Sequence, residues 1–482
     1  MTPVLIFTAF AIYTLLLFGI SFITSKKADN ETFMLGNRRS PWYIVAYGMI
    51  GASLSGVTFI SIPGDVGNTQ FSYMVIVLGY LIGYFVIANI LLPLYYKLQL
   101  TSIYTYLEDR FGFWSYKTGS VFFLISRIIG ASFRMFLVVS VLQMFVFEAW
   151  GIPFWATVAL FMLLIMLYTF RGGIRTIVWT DTLQTTFMLV AVVLTLFLIA
   201  GEMGLSFSGL VHEIRSSDYS RMFITEWQDG HFWVKDFLAG MFIAIVMTGL
   251  DQDMMQKNLS CRNLKDAKKN IYWLSIALVP VNLLFLSLGA VLWIYASQTS
   301  GFPSLPSTDY LFPTIALQYL GPVAGIAFII GLIAAAYSSA DSALTALTTS
   351  FSVDILGIRK RDDLSDKKKT TIRYRVHIGI SIVVLLVIVV FNTINDRSVI
   401  SALFTIAGYT YGPLLGLFAF GLFTKYSVKD RYVPLIAVLS PALCYLLSIF
   451  DTQLFYGYNL GFELLLVNGF LTFLGLFIVS KK

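Results

Sequence analysis

Charged residues are scarce in this sequence, and their scarcity excludes most classes of soluble protein. Asp, Glu, Lys and Arg make up only 12% of the 482 residues, against 57% hydrophobic residues. Soluble domains carry about 25% charged residues. The composition therefore predicts a polytopic membrane protein rather than a soluble enzyme. The net charge of +7 does not indicate nucleic-acid binding, because the basic residues follow the loops between apolar spans.

Cysteine and histidine are also rare, which argues against disulfide frameworks and metal-dependent catalysis. Cys261 and Cys444 are the only cysteines, and the three histidines, at 212, 231 and 377, are far apart in the sequence. Neither residue type occurs at a metal-ligand spacing, so neither predicts a metal site. No phosphate-binding glycine loop, zinc motif or nucleophile elbow is present either.

Long apolar runs are abundant, and each is long enough to cross a bilayer, which takes about 20 residues. The predicted spans cover residues 3–24, 42–67, 72–97, 117–147, 153–170, 176–201, 236–256, 271–296, 321–353, 374–394, 398–423, 431–450 and 461–480. The sequence therefore predicts about 13 transmembrane helices in a single membrane domain, 1–482. The lipid bilayer is its main environment.

The loops between these spans differ strongly in basic charge. Most of the 33 Lys and Arg residues fall in alternate loops, including Lys26, Lys27 and Lys482 at the two ends of the chain. The opposite loops hold only Arg215, Arg221, Lys235 and Arg397. By the positive-inside rule, this asymmetry predicts an outside N-terminus and a cytoplasmic C-terminus. We therefore expect a multi-pass membrane protein.

The most informative stretch runs from Gly331 to Ile355, where an apolar span carries many hydroxyls and one carboxylate, Asp341. Ser338, Asp341 and Ser342 fall at helical spacing and share one face. Small residues and serines could simply let two helices pack closely. That alternative does not explain Asp341, because a carboxylate inside a membrane span by default marks an ion or solute pathway.

Two further spans have interrupted patterns that predict broken helices. The second span contains six Gly and Pro residues between Gly48 and Gly67, and five spans later Thr248 and Gly249 precede a polar run from Asp251 to Asp253. Paired interrupted spans indicate a transporter with inverted repeats, here 42–201 and 236–423. The first span, 3–24, and the last two spans, within 431–480, would then lie outside the two repeats. Glycine-mediated packing is the alternative, and the aspartates could be interfacial.

Three more charged residues fall inside predicted spans. Asp181 lies about two turns into the sixth span, where it could stabilise a helix N-terminus or share a cation site with Asp341. Arg127 and Arg134 lie seven residues apart, on one face of the fourth span. They could bind an anionic solute, or they could form internal ion pairs.

Several motifs together resemble those of the sodium:solute symporter family. AAYSSADSALTALTTSFSVDI, GGIRTIVWTDTLQ and GLDQDMMQKN are similar to the family's Ala-x-x-Ser-Ser, Trp-Thr-Asp-x-x-Gln and Gln-Asp-x-x-Gln-Arg segments. Lys257 stands where Arg is common. LSGVTFISIP resembles the broken-helix segment of the bacterial sialic acid members. The resemblance implies an all-α polytopic protein with a leucine-transporter-like fold, a 5+5 inverted repeat and alternating access.

The resemblance also implies specific site residues. A sodium site would use the carbonyls of Gly51, Leu54 and Ala335 and the hydroxyls of Ser338 and Ser339. A possible second cation site, for sodium or a proton, would use Asp181, Ser338, Asp341 and Ser342. The family usually has Ser or Thr at position 341. Ser55 and Thr58 would contact the solute, and Arg127 and Arg134 each lie about one turn from the position of the sialic acid family's arginine.

The predicted function is therefore sodium-coupled import of a small polar organic solute rather than catalysis. The chain is expected to work as a monomer in a bacterial inner membrane, with no metal other than sodium. An alternative is sodium- or proton-coupled uptake of a sugar, polyol or amino acid rather than a sialic acid or other organic anion. A membrane-embedded enzyme would need a catalytic pair within a span, and none is visible. A transporter-like sensor would usually carry a soluble signalling module.

Overall fold

Apolar helices make up most of the chain. The computed structural model describes residues 2–24, 30–394, 399–454, 458 and 460–481, apart from the side chains of 171, 172 and 452. Lys26, Lys27, Arg397 and Lys482, which enter the charge asymmetry, lie outside the described residues. In the described part, ten helices have the length and composition of a membrane span, a bent pair forms an eleventh, and two are shorter.

These helices coincide with the thirteen predicted spans and are numbered here in chain order. They are α1 (Pro3–Thr24), α2 (Trp42–Thr69), α3 (Tyr73–Lys97), α4 (Phe113–Trp150), α5 (Phe154–Phe170), α6 (Gly173–Glu202), α7 (the bent pair Trp233–Gly249 and Gln252–Leu259), α8 (Leu264–Gln298), α9 (Gly321–Ile355), α10 (Asp366–Ile394), α11 (Val399–Phe423), α12 (Asp430–Ile449) and α13 (Leu464–Ile478).

Short elements connect the spans. They comprise the helices Asn30–Leu35, Thr105–Arg110, Phe207–Ser216, Leu311–Thr314 and Asp451–Leu454, the single turns Gly36–Arg38, Asp218–Ser220, Thr308–Tyr310 and Ile358–Lys360, a wide turn at Ile315–Tyr319, and the antiparallel strands β1 (Ser427–Val428) and β2 (Ser480–Lys481). The helix Phe207–Ser216 lies in the connection between α6 and α7. The side chain of Ser206 caps it by accepting a hydrogen bond from the Gly209 N–H.

Helices α2 and α9 form the centre of the molecule. In the most apolar part of each helix, 83% of the residues of α2 and 78% of those of α9 are buried. The corresponding fractions are 33% for α10 and 28% for α12. Small residues permit this packing: a Cβ on Gly331 of α9 would collide with Phe59 of α2 and Ala191 of α6. The outer helices instead expose apolar side chains such as Ile382 and Val438, which suits contact with lipid.

The connection predicted between the fifth and sixth spans, residues 171–175, is short. The chain turns between α5 and α6 with almost no loop. The change of direction occurs at Gly173, whose φ of 51° and ψ of −141° interrupt the helix. Glycine is needed there, because a Cβ would collide with the backbone of Phe33. The boundaries of the two predicted repeats, 42–201 and 236–423, stay a prediction.

Candidate cation and solute site

Helix α2 is interrupted at Ser55, in the middle of its buried length. The backbone of Ser55 has φ 57° and ψ −179°, a region that costs of order 1–3 kcal/mol for a residue with a side chain. The predicted interruption is therefore present, but it lies on a serine rather than on a glycine or proline. Such a break can release the carbonyls of the preceding turn, which contains Gly51 and Leu54, to a ligand.

Three helices meet beside this break. A Cβ on Gly48 of α2 would touch the side chain of Asp181 on α6, and the Gly51 N–H donates to Thr185 Oγ1 at 3.1 Å. From α9, Ser338 Oγ donates to Asp181 Oδ1 at 2.9 Å. The structure therefore brings the α2, α6 and α9 residues of the predicted sites to one level of the bundle.

The predicted sodium ligands on α9 are buried and close to one another. Ser338 and Ser339 are each only 1% exposed, and Ala335 is fully buried. Ser339 Oγ donates to the Ala335 carbonyl at 3.1 Å, which leaves its oxygen lone pairs available to a cation. Neutral oxygens of this kind suit a hard monovalent cation. The complete ligand set, with Gly51 and Leu54, stays a prediction.

Helix α7 is also interrupted, with a bend of 64° between its two halves. The carboxylate of Asp251 caps the second half by accepting the backbone N–H of Asp253 at 2.9 Å and that of Met254 at 3.3 Å. Tyr411 OH of α11 donates to Asp251 Oδ2 at 2.5 Å. This break is therefore stabilised by side chains of the protein itself.

Arg127 completes the charge balance at the α7 break. Its guanidinium forms an ion pair with Asp253 Oδ2 and lies 3.9 Å from Asp251 Oδ2. Both aspartates are fully buried, so the alternative that they are interfacial is wrong. The reason is that all of Gln252–Leu259 packs inside the bundle. For Arg127, the structure shows the internal ion pair that was left open as an alternative to solute binding.

The four residues of the possible second cation site have different partners. Asp181 Oδ2 accepts from Lys257 Nζ at 2.7 Å, in addition to the bond from Ser338 to its other oxygen. Ser342 Oγ donates to Asp253 Oδ2 at 3.2 Å. The structure thus joins Asp181 to Ser338 and directs Ser342 toward the α7 break.

Asp341 faces a different group. Tyr168 OH of α5 donates to Asp341 Oδ2 at 2.7 Å, while Asp341 Oδ1 has no hydrogen-bond partner among the described residues. The side chain is fully buried. The predicted second cation set therefore contains one saturated carboxylate, Asp181, and one half-satisfied carboxylate, Asp341.

A cavity of about 90 Å³ opens beside the α2 break. Ser55, Thr58, Arg127 and Arg134 line it, as the resemblance implied for solute-binding residues. Sequence reasoning missed much of the remaining lining, which comes from α3, α7, α8 and α11. The missed polar residues are Tyr73, Tyr80, Tyr84, Thr248 and Asn282. The tyrosines were detectable in principle, because their spacing places them near one face of α3.

Arg134 differs from Arg127 within this cavity. Its side chain is buried, with 8% of the residue exposed, yet no carboxylate of the described residues lies within ion-pairing distance of it. Arg134 Nε also lacks a hydrogen-bond partner in that part of the chain. A buried guanidinium without a counter-charge is costly unless an anion joins it. Arg134 is therefore a buried guanidinium that faces the cavity without an ion-pair partner among the described residues.

A wider vestibule of about 240 Å³ adjoins the inner cavity. The two spaces share Tyr73, Ile400 and Phe404, and the vestibule adds polar groups that include Asp65 and His231. These added residues belong to the side of the protein predicted to face outside. A path from that side therefore narrows from the vestibule to the inner cavity.

The opposite end of the bundle is closed by a buried polar network around Asp354 of α9. Its carboxylate accepts Ser102 Oγ at 2.8 Å, Ser350 Oγ at 2.6 Å and Tyr116 OH at 2.9 Å. Lys117 Nζ also donates to the Asp354 carbonyl. Tyr116 and Lys117 lie near the start of α4, about three turns before Arg127. These contacts fix α4 to α9 on the side predicted to be cytoplasmic.

Comparison with known proteins gives a consistent result along nearly the whole chain. The model of the Sodium:solute symporter family matches residues 33–429. The sodium/sialic acid symporter NanT of Aliivibrio fischeri is 25% identical over 94% of this chain and 89% of its own length. The sodium/sialic acid symporter SiaT of Proteus mirabilis is 26% identical over 88% of this chain and 86% of its own length.

A solved structure shows the same fold. The substrate-bound outward-open state of a Na+-coupled sialic acid symporter superimposes with a TM-score of 0.80, at 21% sequence identity and 99% coverage of both chains. The predicted all-α polytopic fold of the leucine-transporter type is thereby confirmed.

Proposed function

This chain belongs to the sodium:solute symporter family, and on that premise we propose that it imports a small organic anion together with sodium by alternating access. The observation that carries the proposal is Arg134, a buried guanidinium that lines the inner cavity without a carboxylate partner in the described residues. An anionic group of the solute supplies the missing charge. Ser55 and Thr58 contact the rest of the solute at the α2 break.

Sodium binds at the break and links it to α9. Its ligands are the carbonyls of Gly51, Leu54 and Ala335 and the hydroxyls of Ser338 and Ser339. A cation held by both helices draws the interrupted segment of α2 against α9, so sodium and solute each favour the same state. This differential affinity is what couples the inward sodium gradient to solute uptake.

The size of the cavity restricts the solute. The inner cavity of about 90 Å³ is smaller than the ~300 Å³ or more that encloses a drug-sized ligand. A short organic acid fits this space directly, whereas a sialic acid, the solute named for NanT and SiaT, requires the inner cavity to merge with the vestibule. A neutral sugar, a polyol or an amino acid is the alternative. A sugar or polyol would leave Arg134 unpaired, whereas an amino acid would present its carboxylate to it.

We place the protein in a bacterial inner membrane as a monomer, with its N-terminus outside and its C-terminus in the cytoplasm. The predicted charge asymmetry of the loops supports this orientation. The vestibule at Asp65 and His231 then opens to the outside, and the Asp354 network closes the cytoplasmic side. That arrangement allows solute to enter from outside before the inner side opens.

Uptake into proteoliposomes tests the proposal. The panel contains sialic acid, short organic acids, and neutral sugars, polyols and amino acids, each with a sodium gradient or a potassium gradient. An acid should be taken up only with sodium. Arg134→Gln should lower its uptake by roughly 10- to 100-fold, the effect of losing a charged hydrogen bond. Arg134→Lys, which keeps the charge, is the matched control and should retain part of the activity.

Two results would contradict the proposal. Equal losses for an acid and its neutral analogue in Arg134→Gln would assign this arginine a structural role. Uptake that persists unchanged in a potassium gradient would exclude sodium coupling.

A further inference from the structure

The carboxylate of Asp181 already holds a cation that belongs to the chain. Lys257 Nζ lies 2.7 Å from Asp181 Oδ2, and both side chains are only 1% exposed. Ser338 Oγ donates to Oδ1 at 2.9 Å. In its hydrogen-bonding orientation, the Gln184 amide also donates to Oδ1 at 3.1 Å. Three donors, one of them charged, therefore occupy both oxygens of this carboxylate.

The ammonium of Lys257 is a chemical counterpart of a small monovalent cation. It is a compact point charge with three donors on a flexible stem, unlike the planar fork of arginine. Its stem comes from the fully buried segment Gln252–Leu259. It therefore reaches Asp181 without passing through water. In this position it gives the carboxylate what a bound sodium ion would give it: one positive charge at contact distance.

A sodium ion at Asp181 would have to displace this ammonium or lie next to it. Two like charges in a dry interior repel each other strongly. The two hydroxyls predicted as sodium ligands there also point their protons at different carboxylates. Ser338 donates to Asp181 itself, and Ser342 donates to Asp253. The contacts thus favour one resident cation at Asp181 and leave the α2–α9 site for sodium.

We propose that the ammonium of Lys257 takes the place of a second sodium ion at Asp181, so that the transporter carries one sodium ion per solute. The inference rests on the proposed sodium coupling and specifies its stoichiometry. It also gives Lys257 a mechanical role, because the pair joins the second half of α7 to α6 and, through Ser338, to α9. The half-satisfied Asp341 is not assigned a sodium ion.

Thermal unfolding of the purified full-length protein tests this inference. Sodium is titrated against choline at constant ionic strength, and the slope of melting temperature against log sodium reports how many ions the folded state binds. Wild type should follow a one-site curve, and binding of radioactive sodium should saturate at one ion per chain. Lys257→Met leaves Asp181 without its cation, so sodium should fill the position and the slope should about double.

Lys257→Met with Asp181→Asn is the matched control. It removes both charges of the pair and should return the sodium slope to that of wild type. If Lys257→Met does not fold in choline, its recovery in sodium but not in potassium supports the inference. Two sodium ions bound per wild-type chain would overturn it, as would a Lys257→Met slope equal to that of wild type.

This experiment separates the inference from the proposed function. A wild type that shows neither sodium-dependent stabilisation nor sodium-dependent uptake contradicts the proposed sodium coupling. In that case, a sodium response that appears only in Lys257→Met still supports the role of Lys257, and its absence there contradicts that role.

Discussion

Helices α2 and α7 are both interrupted near the middle of the bundle, but the two breaks are built from different groups. The α2 break lies on the strained backbone of Ser55. The α7 break contains the carboxylates of Asp251 and Asp253, which are compensated by Arg127 and capped by Tyr411. In the proposed function the first break binds an ion, whereas the second break has its charges balanced internally.

This difference suggests a division of roles between the halves of the protein. Freed carbonyls and hydroxyls can exchange a sodium ion, because no covalently attached charge competes for them. A break that is closed by an ion pair resists opening, since separating buried charges is costly. We therefore infer that α2 responds to the transported ions, while α7 and its ion pairs act as the fixed side of the site.

The largest expected effect is the loss of the ion pair at the α7 break. Arg127→Gln leaves Asp253 buried without a counter-charge, which should lower the free energy of unfolding by about 3–5 kcal/mol. Adding Asp253→Asn removes the second charge and should recover much of that loss. Thermal unfolding in detergent measures both variants. A single variant as stable as wild type would show that this break does not depend on the ion pair.

The next effect concerns the hydroxyls opposite the α2 break. Replacing Ser338 and Ser339 together with Ala should reduce the sodium affinity by at least about tenfold, because two ligand oxygens are lost. The protein should remain folded. Ser381→Ala serves as the control, because it removes a buried hydroxyl whose hydrogen bond within the described residues goes to its own helix. Sodium titration of uptake provides the measurement, and unchanged sodium activation in the double variant would contradict the assignment.

A smaller effect follows from the strain at Ser55. Glycine adopts the observed backbone angles without the cost that serine bears, so Ser55→Gly should raise stability by about 1 kcal/mol. The same variant should weaken solute binding if the Ser55 hydroxyl contacts the solute. Asp251 at the other break has φ −104°, so glycine there should bring no such gain. Melting temperatures of Ser55→Gly and Ser55→Ala distinguish relief of strain from loss of the hydroxyl.

The smallest expected effect is a pH dependence of the protein's stability, which arises at the outer end of α2. A Cβ on Gly64 would collide with the Thr308 carbonyl, so this helix packs against the turn that carries Asp309. Asp309 Oδ2 accepts the Val399 N–H at the start of α11. Burial raises the pKa of Asp309 to about 6 from 3.8. Between these values the folded state binds more protons than the unfolded state.

Stability should therefore fall as the pH rises from about 4 to about 6. Above about pH 6, Asp309 should contribute no further change in stability. Asp309→Asn should flatten that part of the profile. Melting temperatures of the two proteins across this range provide the test. Identical slopes would show that Asp309 does not titrate in the folded protein.

The sequence predicted the fold well because the bilayer restricts the possibilities so strongly. The runs of apolar residues predicted the helices, and Gly, Pro and polar residues indicated which two would be interrupted. The position of a break could not be predicted. Ser55 adopts an unfavourable backbone conformation because its neighbours impose it, not because of its own propensity.

The charges of the site were harder to predict than the residues that form it. Asp181 and Arg127 were identified, but their partners lie 76 and 126 positions away along the chain. Sequence spacing carries information about neighbours within a helix, and contacts between helices depend on packing. Lys257 was noticed only as a substitution for arginine. Its placement on Asp181 is a result of the three-dimensional arrangement.

The narrowing from vestibule to inner cavity has a pharmacological consequence. An acid with its anionic head at Arg134 and a bulky tail among Ile400, Phe404 and Phe462 would occupy both spaces at once. Such a compound would bind from the outside yet prevent closure above the inner cavity. It would act as a competitive blocker that is not itself transported, and lengthening the tail would convert a solute into an inhibitor.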